Sequence, residues 1–205
     1  MLEQIISKKT QSNLEILKKS GLIANFYLVG GTGLALYLKH RISVDLDFFS
    51  KKEFNSQSMI QKIKKLGKFS IAKESENTLT GVFNDTKIAF LTYDYPLLFP
   101  LKKIGNINVA DIKDIACMKI SAISSRGSKK DFIDLYFICQ QGISLKQALV
   151  LFEKKYKSID YNMVHILKSL VFFDDAHNDP MPKMLVPVMW EQVKRFFQEK
   201  VKTSQ

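Results

Sequence analysis

The stretch that decides the fold is "YLVGGTGLALYLKHRISVDLDFF", residues 27–49. A short apolar run leads into Gly30 and Gly31, and the glycines open directly into a helical pattern. A second apolar run then carries two aspartates one residue apart, Asp45 and Asp47. The acids need an explanation, because their β-branched and aromatic neighbours predict burial at this point of the chain.

The aspartate pair is predicted to lie on a strand over residues 44–50, where residues i and i+2 share a face. Asp45 and Asp47 would project together, with Val44, Leu46 and Phe48 on the opposite face in the core. Two neighbouring carboxylates repel each other, and a divalent cation relieves that repulsion. Mg²⁺ binds carboxylate oxygens together with the phosphate oxygens of a substrate. The alternative is an exposed sheet face on which both acids are solvated or paired with lysines.

The glycine pair favours the first alternative, in which the two aspartates bind a divalent cation. At the start of a helix, Gly30 and Gly31 let backbone N–H groups approach a ligand closely, and the helix N-terminus favours an anion. With Thr32 they form a predicted phosphate cradle, although a tight turn from strand to helix needs glycine with or without phosphate. A phosphate cradle beside a metal-binding pair is the arrangement required for transfer of a nucleotide's phosphoryl group.

The whole chain limits the class of protein. Its 205 residues include 31 Lys and Arg against 20 acids, a net charge of +11 that favours polyanions such as nucleic acid or nucleotides. Only three of the cations are arginine, so the lysine excess also fits compositional bias and a solvated surface. No apolar run spans a bilayer and the N-terminus lacks a secretory pattern, which predicts a cytoplasmic protein without a membrane partner.

Two parts are predicted along the chain, an α/β domain over residues 1–110 and a helical domain over residues 111–205. In the first part, "FSIAKE", "TLTGVF" and "KIAFLTY" are predicted strands, the last two joined by the hairpin signal "NDT". From Asp111 onward the apolar spacing is helical throughout, with capping patterns at "DIKD" and "SKKD".

The motif "GGTGLALYLKHRISVDLDFF" resembles the first motif of the nucleotidyltransferase superfamily. More narrowly, it resembles the AbiEii/AbiGii abortive-infection toxins, the enzyme half of type IV toxin–antitoxin pairs. The likeness continues through "DIACMKISAISSRGSKKDFIDLYFI" and "FFDDAHNDPMPKMLVPVMWEQVKRFF". It implies an α+β protein in which a nucleotidyltransferase-fold mixed β-sheet with flanking helices precedes a C-terminal helical bundle that completes the active cleft.

Three polar residues stand out in the helical part. Lys119 interrupts an apolar stripe and so needs an anion, unless its stem is packed and its ammonium reaches water. The resemblance implies that Lys119 contacts the phosphates of the nucleotide. Asp131 forms a capping pair with Ser128, whereas capping does not explain Asp134, which could pair with Lys130 or turn toward Lys119 or the site. The resemblance implies a nucleotide-binding acid from this motif, and both aspartates are candidates.

Further cations lie near these motifs. Arg41 is predicted to orient phosphates or to brace the carboxylates, whereas His40 is predicted to interact with the dipole at the C-terminus of its helix. Arg126 and Lys129, in the loop before "KKDFID", are candidates for contact with phosphate or with an RNA backbone.

One departure from the superfamily concerns a third carboxylate, which many members supply from a later strand. The matching strand here is "TKIAFLTYDY", in which Ala89 stands two residues after Lys87. Three explanations stay open: one metal ion suffices, Asp94 or Asp134 substitutes, or the protein binds nucleotide without efficient turnover.

The resulting hypothesis is a nucleotidyltransferase that moves NMP from an NTP to an acceptor. Asp45 and Asp47 would hold Mg²⁺ or Mn²⁺, and Lys119 would neutralise developing charge. The resemblance implies RNA, with tRNA as the leading acceptor, and a DNA-binding antitoxin as the genetic partner. The alternatives are an enzyme that adenylylates protein and a catalytically impaired, nucleotide-responsive module that binds RNA or protein.

Overall fold

The computed structural model describes residues 5–203, which form two compact units. The sheet unit comprises residues 5–36, Ile42–Asp94 and Leu101–Ala110. The helical unit comprises Tyr37–Arg41, Tyr95–Pro100 and residues 111–203, so it takes two short segments from the earlier part of the chain. Residues 1–4 and 204–205, at the ends of the two predicted domains, lie outside the described residues.

The sheet unit contains a seven-stranded mixed sheet. Its strands, in chain order, are β1 (Tyr27–Leu28), β2 (Leu46–Ser50), β3 (Phe69–Ser75), β4 (Thr78–Phe83), β5 (Thr86–Thr92), β6 (Lys102–Ile104) and β7 (Ile107–Val109). In space they follow the order β3-β4-β5-β2-β1-β7-β6, with β1 parallel to β7, β2 parallel to β5 and the other neighbours antiparallel. The mixed sheet confirms the predicted fold class.

Helices α1 (Lys8–Lys19), α2 (Gly30–Leu38) and α3 (Ser56–Leu66) accompany the sheet. α2 begins in the sheet unit and its last two residues belong to the helical unit. The core beneath the site is aromatic: Phe48 on β2 stacks on Phe90 of β5 with ring centroids 5.2 Å apart, and both side chains are fully buried. Burial on this scale stabilises the two central strands, of which β2 carries Asp47.

The hairpin predicted at "NDT" is confirmed. Asn84 and Asp85 both have positive φ, 43° and 62°, as a two-residue hairpin turn requires. A second hairpin, β6–β7, was not predicted from the sequence. Its turn residues Gly105 and Asn106 also have positive φ, 57° and 63°, so the Gly-Asn pair was the signal that identifies it.

The helical unit confirms the prediction of helices after Asp111. It contains α4 (Ile112–Arg126), α5 (Lys129–Gln140), α6 (Leu145–Lys155), α7 (Met163–Ser169), α8 (Asp174–His177) and α9 (Trp190–Lys202). Asp111 caps α4 as predicted, because its carboxylate accepts the N–H of Lys113 at 3.0 Å. Asp114 has another role: it is fully buried and accepts the N–H groups of Leu98 and Phe99.

Candidate active site

The two aspartates lie at the beginning of β2. Asp47 is the second residue of the strand and Asp45 directly precedes it. Leu46 and Phe48 are fully buried while both aspartates are partly exposed, which confirms the predicted alternation over these four residues. The prediction for Val44 was wrong: its exposed fraction is 53%, because the chain before Leu46 is not part of the strand and the alternation does not extend there.

Gly30 meets the second aspartate directly. It is the first residue of α2 and has φ +65°, a left-handed conformation that favours glycine. A Cβ atom at this position would collide with the carboxylate of Asp47, so only glycine leaves room for that side chain. The N–H of the preceding Val29 donates to the Asp47 carbonyl oxygen at 2.9 Å, which fixes the helix start beside the strand. The carboxylate therefore lies at the N-terminus of a helix, where negative charge is favoured.

Thr32 holds the same helix to the chain that leads into β2. Its side chain is buried, and its hydroxyl donates to the carbonyl oxygen of Asp45 and lies 2.9 Å from the Ser43 hydroxyl. Gly31 is buried as well. The side chain of Thr32 thus positions Asp45, and any contact of this helix start with a ligand falls first to the more exposed Gly30.

The register of the sheet locates the position of the missing acid. β2 and β5 run parallel, and Asp47 pairs with Ala89, the residue expected from the sequence at that position. On the other side of β5, Ala89 pairs with Thr80 of β4. Among the described residues, no group of three or more His, Cys, Asp and Glu side chains could hold a metal ion. The sheet therefore offers the aspartate pair without a third carboxylate beside it.

This pair fits a divalent cation that is shared with a substrate. Mg²⁺ is commonly bound by one or two carboxylates plus the phosphates of its nucleotide, and it keeps several waters. The two partly exposed acids beside the helix N-terminus match that donor set. Asp45 and Asp47 are the residues that would hold the ion, and Gly30 leaves the space for the second of them.

A second polar cluster, the Asp134 cluster, lies within the helical unit and is buried. The carboxylate of Asp134 accepts two hydrogen bonds from Arg41, from Nε at 2.6 Å and from Nη2 at 2.8 Å. Nε2 of His40 lies 2.7 Å from the same carboxylate, and Nζ of Lys119 lies 2.6 Å from it. Asp134 is fully buried, so these contacts replace the water that a carboxylate would otherwise require.

Asp131 extends the Asp134 cluster toward the end of α4. Nζ of Lys119 lies 2.7 Å from Asp131, and Arg126 donates to the same carboxylate from Nε at 2.8 Å and from Nη2 at 3.1 Å. The Ser128 hydroxyl also donates to it at 2.8 Å, but the Ser128 side chain accepts no backbone N–H of α5, so the predicted capping pair was wrong about the bond that joins these two residues. Lys119 therefore finds its anion inside the unit, bridging Asp131 and Asp134, and its ammonium does not extend to water.

Pairing determines the charge of these groups. Burial alone would raise the pKa of Asp131, but Lys119 and Arg126 outweigh it and lower that pKa to about 2. Burial is likewise outweighed at Asp134, where Lys119 and Arg41 hold the pKa well below its ordinary value. For Lys119, burial lowers the pKa, and the charges of Asp134 and Asp131 more than offset that and raise it. The three groups are thus charged at neutral pH.

The family description "Nucleotidyl transferase AbiEii toxin, Type IV TA system" matches residues 14–102 and 89–203, nearly the full length of the chain. The chain belongs to the AbiEii family of nucleotidyl transferase toxins. The resemblance carried by the sequence motifs is thereby confirmed, and the enzyme class is that of a nucleotidyltransferase.

Individual proteins are similar to this chain in sequence or in fold. The protein aq_aa25 of Aquifex aeolicus (strain VF5), described as uncharacterized, is 40% identical over 202 residues that cover 96% of each chain. The fold is similar to MenT4, a nucleotidyltransferase toxin of Mycobacterium tuberculosis H37Rv, with a TM-score of 0.57, 14% identity, and 93% of this chain and 84% of that one covered. It is also similar to JHP933 from Helicobacter pylori, with a TM-score of 0.52, 17% identity, and 97% and 94% covered.

Several predictions about single residues of this AbiEii family member need correction. His40 was predicted to interact with a helix dipole, yet it is fully buried and hydrogen-bonded to Asp134. Because that carboxylate is ionised, Nε2 carries the proton, and Nδ1 has no hydrogen-bond partner in the described part of the chain. Lys129 was a candidate for phosphate contact, but its ammonium is buried and donates to the carbonyl oxygens of His177 and Asp179. Both partners lie far away in sequence, so local patterns did not reveal them.

Arg41 was predicted to orient phosphates or to brace carboxylates. The structure pairs it with a carboxylate of the helical unit, Asp134, through two hydrogen bonds. Of the acids considered as substitutes for the missing one, Asp134 is therefore engaged by three basic side chains, and Asp94 lies exposed beyond β5. Among residues 5–203, none of the helices combines the length and apolar character that a bilayer crossing demands.

Proposed function

We propose that this AbiEii family member transfers NMP from an NTP to an RNA acceptor, with tRNA as the leading candidate, in a reaction that depends on a divalent metal. The observation that carries the proposal is the contact between the Asp47 carboxylate and Gly30 at the N-terminus of α2. A helix start that favours anions and a pair of partly exposed carboxylates that favour a cation lie side by side there. A metal–nucleotide complex satisfies both.

In the proposed reaction, the hydroxyl of the acceptor attacks the α-phosphorus of the NTP. A new O–P bond forms, the bond from the α-phosphorus to the bridging oxygen breaks, and pyrophosphate leaves. Mg²⁺ or Mn²⁺ at Asp45 and Asp47 would supply neutralisation of the phosphate charge. The carboxylates orient the nucleotide, and the helix N-terminus at Gly30 adds a favourable potential for its phosphates.

Lys119 stays a prediction as a phosphate contact, and so do Arg41, Asp131 and Asp134 as nucleotide-binding residues. In the structure all four belong to the Asp134 cluster. Their pairing supports a role in which they fix the position of one another's side chains. A role as the toxin of a type IV pair, with a DNA-binding antitoxin as genetic partner, belongs to the same proposal and is supported by membership in the family.

The test is transfer of label from NTPs that carry ³²P at the α-phosphate, with Mg²⁺, total cellular RNA and cell lysate. Asp47→Asn is expected to lower transfer at least about 100-fold, since it removes a charge that acts on the reacting phosphates. Asp85→Asn, an acid of the same unit whose side chain is 77% exposed, is the matched control and is expected to keep full activity. Chelation with EDTA is expected to abolish transfer.

The nature of the labelled product distinguishes the acceptors. Label that disappears on treatment with ribonuclease supports the proposal. Label that survives ribonuclease and disappears with protease shows protein adenylylation instead. Equal transfer by the wild-type protein and Asp47→Asn would show that the aspartate pair is not the metal site.

A further inference from the structure

A cavity of about 520 Å³, here named the α4–α7 cavity, opens within the helical unit where the end of α4 meets α7 and the chain before α8. Its lining includes Arg126, His165, Lys168, Ser169, Phe172 and Asp175. A volume of this size lies in the range of about 300–1,000 Å³ that is typical of small-molecule and cofactor sites. Of these residues, Arg126 was a candidate from the sequence for contact with phosphate or with an RNA backbone, and the others have no role in the proposed transfer reaction.

Arg126 is a cation of the α4–α7 cavity that hydrogen bonds hold in place. Its Nε and Nη2 atoms donate to buried Asp131, yet its side chain is 58% exposed. The guanidinium is therefore held in a fixed plane along one edge while much of the group faces solvent. A guanidinium that is already oriented loses less conformational entropy when it binds a phosphate.

The other polar groups of the cavity complete an anion-binding surface. Lys168 is exposed on α7 and His165 lies one turn before it on the same helix. Asp175 is the single acid in the lining, against Arg126 and Lys168, although Arg126 also pairs with Asp131 behind the lining. The balance favours a phosphate group over a cationic ligand.

The apolar part of the α4–α7 cavity adds a stacking surface. Phe172 lines it with 51% of its surface exposed, and Val171 and Ile123 lie in the same lining. A half-exposed aromatic ring beside two cations is the combination by which proteins bind single-stranded nucleic acid: the bases stack on the ring and the cations contact the backbone.

We propose that the α4–α7 cavity binds a single-stranded segment of the acceptor RNA, with a base on Phe172 and backbone phosphates at Arg126 and Lys168. This inference rests on the proposed function, because it identifies where that acceptor is held. The chain of bonds from Arg126 through Asp131 to Lys119 links the RNA contact to the Asp134 cluster. RNA bound in the cavity would therefore act on Asp131 and Lys119, the residues that the family resemblance associates with the nucleotide.

The test is binding of a fluorescent, unstructured eight-nucleotide RNA to the full chain, followed by anisotropy without NTP or Mg²⁺. Phe172→Ala is expected to weaken binding about five- to 150-fold, the range of one lost stacking contact. Lys168→Ala is expected to reduce the slope of log K against log salt by about 0.7, the value of one phosphate contact on a single strand. Thermal unfolding of both variants checks that these exposed substitutions leave the fold intact.

Two substitutions outside the cavity serve as matched controls. Lys154→Ala removes an exposed lysine from α6, and Met189→Ala removes an apolar side chain that is 72% exposed. Both are expected to leave RNA affinity within about twofold of the wild-type value. Losses as large in the controls as in the cavity variants would overturn the inference, and so would unchanged affinity in the cavity variants. Preferential binding of an acidic phosphopeptide over RNA would also overturn it and would show a protein-binding site.

The same variants separate this inference from the proposed function. Transfer of label to RNA that is unchanged in Phe172→Ala and Lys168→Ala would refute the α4–α7 cavity as the acceptor site and leave the transferase activity standing. RNA binding that depends on the cavity, without any transfer of label to RNA, would refute the proposed acceptor and leave the RNA site standing.

Discussion

Replacement of Asp134 by alanine is the most direct test of the Asp134 cluster. The substitution removes the one carboxylate that contacts His40, Arg41 and Lys119 together. Arg41 and Lys119 are themselves 5% and 4% exposed, so water cannot replace the lost partner. Asp134→Ala therefore removes one negative charge from among buried positive charges, which is the costly way to disrupt a buried ion pair.

The magnitude follows from that burial. Removal of one partner from a buried ion pair costs about 3–5 kcal/mol of the free energy of unfolding. In a chain of this length each kcal/mol lowers Tm by about 2–4 °C, so we expect a fall of about 6–20 °C. The fall is larger if the helical unit unfolds on its own, because a smaller cooperative unit is more sensitive to the same free energy.

The measurement is differential scanning calorimetry at pH 7, with Glu191→Ala as the control. Glu191 pairs with Lys194 on α9 at 2.8 Å, but its side chain is 70% exposed. An exposed pair contributes little, and we expect its loss to lower Tm by no more than about 4 °C. A change in Tm for Asp134→Ala that is no larger than the change for Glu191→Ala would refute the structural role assigned to the Asp134 cluster.

Three further predictions address pH, the glycine and the missing acid. The pKa of Asp131 is lowered to about 2 in the folded state, so its stabilisation is complete above the ordinary value of 3.8 and is lost as the pH falls toward 2. The urea concentration at the unfolding midpoint should fall over that pH interval, and it should fall more steeply in the wild-type protein than in Asp131→Asn. Equal dependence on pH in the two proteins would contradict the pairing of Asp131 with Lys119 and Arg126. Gly30→Ala adds about 1–2 kcal/mol of backbone strain and displaces Asp47, so transfer should be lost. Gly21→Ala should show the strain alone and keep activity, because Gly21 has φ +74° and no neighbour within 4 Å. Equal activities of Gly30→Ala and Gly21→Ala would argue against the contact between Gly30 and Asp47. Ala89→Asp places a carboxylate beside Asp47 and should lower the Mn²⁺ concentration at half-maximal transfer; an unchanged metal dependence would show that this register position does not face the metal.

Sequence reasoning succeeded where the deciding signal is local. The helix start at the glycine pair, the alternation around Leu46 and Phe48, and the "NDT" turn each depend on residues that are neighbours in the chain. The alternation failed at Val44 because periodicity shows which face a strand residue occupies and does not show where the strand begins.

Partners of buried charges were the least predictable feature. The need of Lys119 for an anion follows from the apolar face around it, and one of its two partners, Asp134, was among the alternatives from sequence. The bond from His40 to that same aspartate joins residues 94 positions apart, and no periodicity encodes such a distance. The sequence identified charges that needed partners, and tertiary packing selected the partners.

The Asp134 cluster explains why two positions of this lysine-rich chain carry arginine. Of the 31 Lys and Arg residues, 28 are lysine. Two of the three arginines, Arg41 and Arg126, each donate hydrogen bonds from two nitrogens to one aspartate. A lysine at either position would keep the charge and lose the paired geometry of the two bonds. At these two positions the shape of the base, and not its charge alone, therefore decides which side chain can make both bonds.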